Sequence, residues 1–215
     1  MVDGGFYRVR ANQLFGARDK SPSAWADELE GYCRKHAEKS ASEGHPLYRI
    51  FYYDCQPVVQ SVYHPLRKET VDLSKSPTFK RNTEFFEELK KRSRFAIRRG
   101  KLSAGNCCYL IKPTVQKAIL RGNFKIENLS DRDIRLDVGQ KGVDMRLGLD
   151  LVSLALKRIV DQVVLVTGDS DFVPAIKMAR REGVEIVLDS MGMHIADDLR
   201  EHVDDVLTFS QDVEK

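Results

Sequence analysis

The stretch Leu165-Val166-Thr167-Gly168-Asp169-Ser170-Asp171-Phe172 decides how this chain is read. Just upstream, Val163-Val164-Leu165-Val166 is a continuous apolar run rich in β-branched residues, the pattern of a parallel strand covered on both faces. Downstream, Phe172, Ala175, Ile176 and Ala179 recur at helical spacing and Gly183 supplies a stop, so Phe172 to Glu182 reads as a helix. Asp169 and Asp171 therefore fall in a strand-to-helix turn at the carboxyl end of a parallel strand. Open α/β sheets bind their ligands at that edge. An N-cap accounts for one Asp in such a turn. It does not account for two.

The same rhythm extends outward. Ser21-Pro22-Ser23 opens a helix whose stripe Trp25, Leu29, Tyr32 and His36 reads as core, with His36 at its polar edge. Tyr48 to Tyr53 is a strong strand signal ending at Asp54. Residues 60–90 are polar and broken by Pro and Ser, then helical around Glu84 to Lys91. Phe95 to Lys101 and Cys107 to Ile111 read as short strands, and Lys141 to Ile159 as a helix. Val184 to Leu188 reads as a strand, His194 to His202 as a last helix and Val206 to Phe209 as a final edge strand. Strands alternating with helices predict an α/β fold, a mostly parallel sheet built with right-handed crossovers. The 215 residues are enough for one domain, 1–215, with an elaboration at about 60–112.

Composition bounds the function. Apolar residues make up 42% and charged residues 31%, as in soluble globular proteins. No apolar run approaches the roughly 20 residues that span a bilayer, and Met1 opens no signal peptide, so no membrane is expected. Cys33, Cys55, Cys107 and Cys108 lack zinc-site spacing, which points to reduced thiols and a cytoplasmic setting; Cys107 and Cys108 read as small buried hydrophobes. The net charge of +3 hides an asymmetry. Lys75 to Lys101 carries ten basic residues against Glu84, Glu87 and Glu88, whereas Glu182 to Lys215 carries ten acids against Arg200 and Lys215. A basic run is usually a solvated helix face. Beside a carboxylate site it also fits a polyanion held by its phosphates.

Two further carboxylates can join Asp169 and Asp171. Asp3 follows the short first strand and precedes Gly4-Gly5, where the backbone turns freely. Asp144 opens the helix after Lys141-Gly142-Val143; taken alone, each is equally a turn or first-turn acid. Asp150 lies about 240° round the helix from Asp144 and reads as a surface or supporting residue. Four carboxylates at one edge repel unless a cation neutralises them. An oxygen-only set suits Mg²⁺ or Mn²⁺, which lower the pKa of a bound water and offset charge on a phosphate. The chemistry that fits is metal-assisted phosphodiester hydrolysis, with Lys141 either a phosphate contact or an exposed lysine.

Met1-Val2-Asp3-Gly4-Gly5-Phe6, Tyr48 to Asp54 (YRIFYYD), Lys141 to Leu151 (KGVDMRLGLDL) and Val166 to Phe172 (VTGDSDF) together resemble the LabA-like branch of the NYN domains, which are PIN-like nucleases. The resemblance runs in order along essentially the whole chain. It implies a three-layer α/β/α sandwich, PIN-like and Rossmann-like, with Asp3, Asp144, Asp169 and Asp171 as metal-binding and catalytic carboxylates. It also implies RNA as substrate; binding through phosphates along the basic run adds the expectation that single strands are preferred over duplex. Lys141, Ser170, Arg98 and Arg99 are the candidate substrate contacts, and a homodimer is the one protein assembly this reading admits. Many members carry Asn three residues after the first Asp; here that position is Phe6, and only Met1 and Val2 precede Asp3.

A haloacid-dehalogenase-type phosphatase is excluded, since it needs Asp where this chain has Gly5 and again where it has Val173. The alternative of another class is a non-catalytic RNA-binding or regulatory protein that keeps the NYN fold.

Overall fold

In chain order the elements are β1 (Val2–Asp3), α1 (Gly4–Phe15), α2 (Pro22–Ser42), β2 (Ile50–Cys55), β3 (Ser61–His64), β4 (Glu69–Asp72), α3 (Pro77–Lys90) and β5 (Phe95–Ile111). There follow α4 (Pro113–Leu120), β6 (Ile134–Lys141), α5 (Val143–Leu156), β7 (Gln162–Val166), α6 (Val173–Arg181), β8 (Glu185–Asp189), α7 (Asp197–Glu201) and β9 (Asp205–Val206). The computed structural model describes residues 1–16, 20–42 and 44–209; the side chains of 101–106 and 138–141 lie outside that description.

Seven strands form one sheet in the order β6-β5-β2-β1-β7-β8-β9. Every neighbouring pair is parallel except β5 with β6. β1 therefore lies in the middle, flanked by β2 and β7. Alternation along β2 divides its side chains between two cores, as the period of two in a strand requires. Phe51, Tyr53 and Cys55 pack with Leu147, Leu151, Ile176 and Leu188 beneath α5 and α6. Ile50 and Tyr52 pack with Tyr7, Leu29, Phe85 and Leu89 beneath α1, α2 and α3. Both faces of the sheet are thus covered, giving the three-layer mixed α/β arrangement that the alternation predicts.

Two of the departures from the sequence reading bear on the sheet and its carboxyl edge. α1 was not anticipated: Gly-Gly opens it and its apolar residues make no stripe, so tertiary packing of Tyr7 and Ala11 holds a segment of weak intrinsic helicity. The two short strands expected at 95–101 and 107–111 are one strand, β5, whose outer half pairs antiparallel with β6 from Lys101↔Lys141 to Ile111↔Ile134. This arm projects past the carboxyl ends of the parallel strands, because β2 ends at Cys55, opposite Gly100. Its solvent position overturns the burial expected for the paired cysteines: Cys108 is exposed and Cys107 half-buried, and all four thiols are free.

Helix α1 leaves the sheet at Gly4, where the backbone lies close to β2. A Cβ there would lie 2.6 Å from the Tyr52 ring and 2.7 Å from the Tyr53 carbonyl oxygen, and a main-chain atom inside a sheet cannot yield. Gly4→Ala is expected to destabilise the fold by about 1–3 kcal/mol through overpacking, read as a lower denaturant midpoint at unchanged slope.

Candidate metal and phosphate site

Asp3 ends β1 and caps α1. Its Oδ1 accepts from the Phe6 amide at 3.1 Å, and its Oδ2 accepts from the Thr167 hydroxyl at 3.2 Å. Thr167, wholly buried just past β7, accepts in turn from the Asp169 amide at 3.2 Å. One hydroxyl thus ties the turn after β1 to the turn after β7. Asp169 caps the short 3-10 turn Ser170–Phe172, its Oδ1 accepting from the Asp171 amide at 2.9 Å. The capping role expected of one Asp is therefore filled by Asp169, which leaves Asp171 exposed and unused by the turn. Asp144 stands in the first turn of α5, which starts from Gly142 in the left-handed region at φ 77°. Three helical amino ends, each with its own carboxylate, converge on one edge.

The charges of these groups act on one another. Burial lifts the Asp3 carboxyl above the usual range, the bonds from Phe6 and Thr167 oppose the rise, and the charges of Asp144 and Asp54 add to it. Burial also lifts Asp144, and the charges of Asp169 and Asp171 raise it further. Among the described residues none of the four carboxylates has an ion-pair partner. Nor do any three His, Cys, Asp or Glu side chains stand close enough to enclose an ion as they are. Oxygen-only carboxylates are the donor type that Mg²⁺ or Mn²⁺ takes, with water and substrate phosphate in the remaining positions.

The proposed substrate contacts lie apart. Ser170 opens the 3-10 turn beside Asp169, half-buried. Lys141 ends β6 opposite Lys101, and its side chain lies outside the described residues. Arg98 and Arg99 are level with Tyr53 and Asp54 near the carboxyl edge, but alternate strand residues point to opposite faces. Arg98 donates to Asp150 at 2.9 Å, which also accepts from the Tyr53 hydroxyl at 2.9 Å, on the face of α5. Arg99 stacks over the Phe86 ring on the other face. The basic run from Lys90 to Lys101 does not flank the carboxylates as a whole. Phe95 is level with Ile50 at the amino edge, so Lys90, Lys91 and Arg92 lie at the wrong end of the sheet, paired with Glu87, Glu88 and Glu30.

Three functional details escaped the sequence reading. Thr167 stood inside the deciding stretch but gave no signal of bridging two turns. Asp54 is buried behind Asp3 and paired with Arg8 at 3.0 Å, while accepting from Tyr52 and from the Cys55 amide. His36 is wholly interior, its Nε2 2.7 Å from the Asp189 carboxylate, which also accepts from the Tyr32 hydroxyl and fixes α2 to β8.

The model of the NYN domain family matches residues 59–210, well over half of the chain, and the protein belongs to that family, with its PIN-like, nuclease-type fold. Asp144, Asp169 and Asp171 lie inside the matched span and Asp3 outside it. An uncharacterized protein of Sinorhizobium fredii is 38% identical over 71 residues, 30% of this chain and 32% of that protein. The chain thus spans about a third of the length of that relative. A crystal structure of a protein of unknown function from Vibrio parahaemolyticus aligns with 60% of this chain and 78% of that one, at 18% identity and a TM-score of 0.30. Among the described residues no helix is long and apolar enough to cross a membrane.

Because the Asp144 carboxyl is raised from 3.8, the folded state binds the proton more tightly than the unfolded chain. Stability is therefore lost as pH climbs through the interval above 3.8 and stays lost at neutral pH. Asp144→Asn is expected to raise the melting temperature at pH 7 by about 1–3 °C, with no gain near pH 3.5. A gain of equal size at both pH values would remove charge repulsion as its cause.

Proposed function

We propose that this protein is a Mg²⁺- or Mn²⁺-dependent endoribonuclease of the LabA-like type, acting on single-stranded RNA in the cytoplasm. Asp3, Asp144, Asp169 and Asp171 are its metal-binding and catalytic carboxylates. The observation that carries this reading is the placement of Asp3, Asp144 and Asp169 at turns and helix starts on the carboxyl edge of the sheet, with Asp171 beside them and left out of its turn's hydrogen bonds, on a nuclease-type fold.

Each residue has a task. Thr167 fixes the rotamer of Asp3 and the main chain of Asp169 together, so the two carboxylates are positioned relative to one another before substrate arrives. Asp144 and Asp171, the most exposed of the set, face incoming water and phosphate. A bound divalent ion supplies a water of lowered pKa and offsets the charge that builds on the phosphate. Asp3, Asp144, Asp169 and Asp171 would hold the ion, and a carboxylate of the set left free of it would accept the proton of the attacking water as the P–O bond to the leaving strand breaks. Lys141, Ser170, Arg98 and Arg99 are assigned to the RNA phosphates. Contact through phosphates makes binding insensitive to sequence and strongly dependent on salt.

The test is cleavage of unstructured RNA with Mg²⁺ or Mn²⁺ and with chelator. Wild type is expected to cleave only with the ion, and Asp169→Asn to lose at least about a hundredfold in rate while keeping its fold. RNA binding without cleavage in every metal would instead establish the non-catalytic, regulatory reading.

A further inference from the structure

The seven-stranded sheet ends in two unlike edges. On one side the outermost strand, β9, has two residues, too short a template for pairing with another chain. On the other side the outermost strand is β6, and among the described residues no strand pairs with its outer edge. The direction of its main-chain groups follows from one bond. The Lys112 amide donates to the Asp133 carbonyl at 2.9 Å, so Asp133, Arg135 and Asp137 turn their groups toward β5. Ile134 and Leu136 turn theirs outward, and among the described residues neither makes a main-chain bond outside the β5 ladder. The side chains of Arg135 and Asp137 share a face with Leu110 and Cys108, which lie opposite them in β5. That face is solvated: Arg135, Leu110 and Cys108 are exposed and Asp137 is half-buried. Among the described residues neither Arg135 nor Asp137 has an ion-pair partner.

We propose that β6 is the dimerisation edge of this protein, and that its partner is β6 of a second copy, paired antiparallel about a two-fold axis at Leu136. The outward groups of Leu136 then bond those of the same residue in the other copy, closing an isologous interface in which each contact occurs twice. In that register Arg135 of each copy lies opposite Asp137 of the other. Both pairs fall at the narrow, non-hydrogen-bonded positions, where side chains across two strands come closest. Charges protect a strand edge when a second copy meets its own sign there. Here the order base, apolar, acid is its own complement when reversed, so the charges attract. Registers one residue off, centred on Arg135 or Asp137, set like charges together and meet main-chain groups turned inward. A strand of another sequence gains the main-chain bonds without both ion pairs. The two-fold also gives the tip of the arm a surface to meet. β6 runs from the tip to the carboxyl edge, so each tip comes beside the carboxyl edge of the other copy. At the tip α4 buries none of its residues, and Leu120 and Ile126 are 81% and 62% exposed.

The interface is independent of any catalytic role for the carboxylates, and sedimentation of charge variants tests it. Wild type is expected to sediment as a dimer at about 100 μM, a level at which an interface of modest area assembles. Arg135→Asp sets acid against acid at both pairs, and Asp137→Arg sets base against base. Each is expected to weaken self-association at least about tenfold, with its circular dichroism unchanged. An equimolar mixture of the two variants is expected to associate as wild type does, since opposite charges then meet at both pairs. Both changes carried in one chain are expected to restore the self-dimer. Wild type that stays monomeric would overturn the proposal. So would single variants that dimerise as tightly as wild type, which would place the interface on another face. A loss of association in folded variants that the mixture and the double change leave unrepaired would overturn it as well.

Discussion

Two residues, Val2 and Asp3, carry the centre of a seven-stranded sheet, and the geometry of the carboxyl edge depends on their pairing with β2 and β7. Because β1 lies between those strands, its end falls beside the end of β7 and not at the margin of the molecule. The Thr167 hydroxyl can then donate to Asp3 while accepting from the Asp169 amide. Had β1 been placed at an edge, the same residues would have been a turn Asp and a helix cap with nothing between them. The tight fit of Gly4 against Tyr52 and Tyr53 belongs to the same constraint, since α1 must leave the sheet at once over its most crowded strand.

The edge gathers negative charge that the fold does not need. Asp3 and Asp169 serve as caps and would hold their helical turns with or without neighbours. Asp144 is different: the helix amino end favours it, yet burial, and after it the nearby charges of Asp169 and Asp171, lift its carboxyl. At Asp54, by contrast, the Arg8 guanidinium stands 3.0 Å from a buried carboxylate. The contrast sets the edge apart, in line with the tendency of functional sites to carry perturbed carboxylates.

Much of this was legible in the chain. The run Val163 to Val166 followed by Gly-Asp-Ser-Asp fixed the strand, the turn and the edge at once, because a covered parallel strand must be apolar throughout and a turn beyond it must solve its own hydrogen bonds. β2 and the helices α2, α5 and α6 followed from the same periodicities. The arm did not. Ile134, Leu136 and Val138 alternate with Arg135, Asp137 and Gly139, the mark of an outer strand with one solvated face, but this pattern was hidden among the surrounding charges. The basic run misled for a related reason: sequence shows how many cations are present, whereas the register Ile50↔Phe95 decides which end of the sheet they reach. Pairings such as Thr167 with Asp3 join residues far apart in the chain and have no local signature.

The central claim is that Asp3, Asp144, Asp169 and Asp171 hold a divalent cation in common. Titrating the protein with Mn²⁺ and following free Mn²⁺ by electron paramagnetic resonance tests it without relying on activity or on RNA. The account predicts saturable Mn²⁺ binding that Mg²⁺ competes away and that Asp169→Asn and Asp144→Asn each weaken by about tenfold or more, with the circular dichroism of the fold unchanged. Binding of equal strength in wild type and both variants would contradict it.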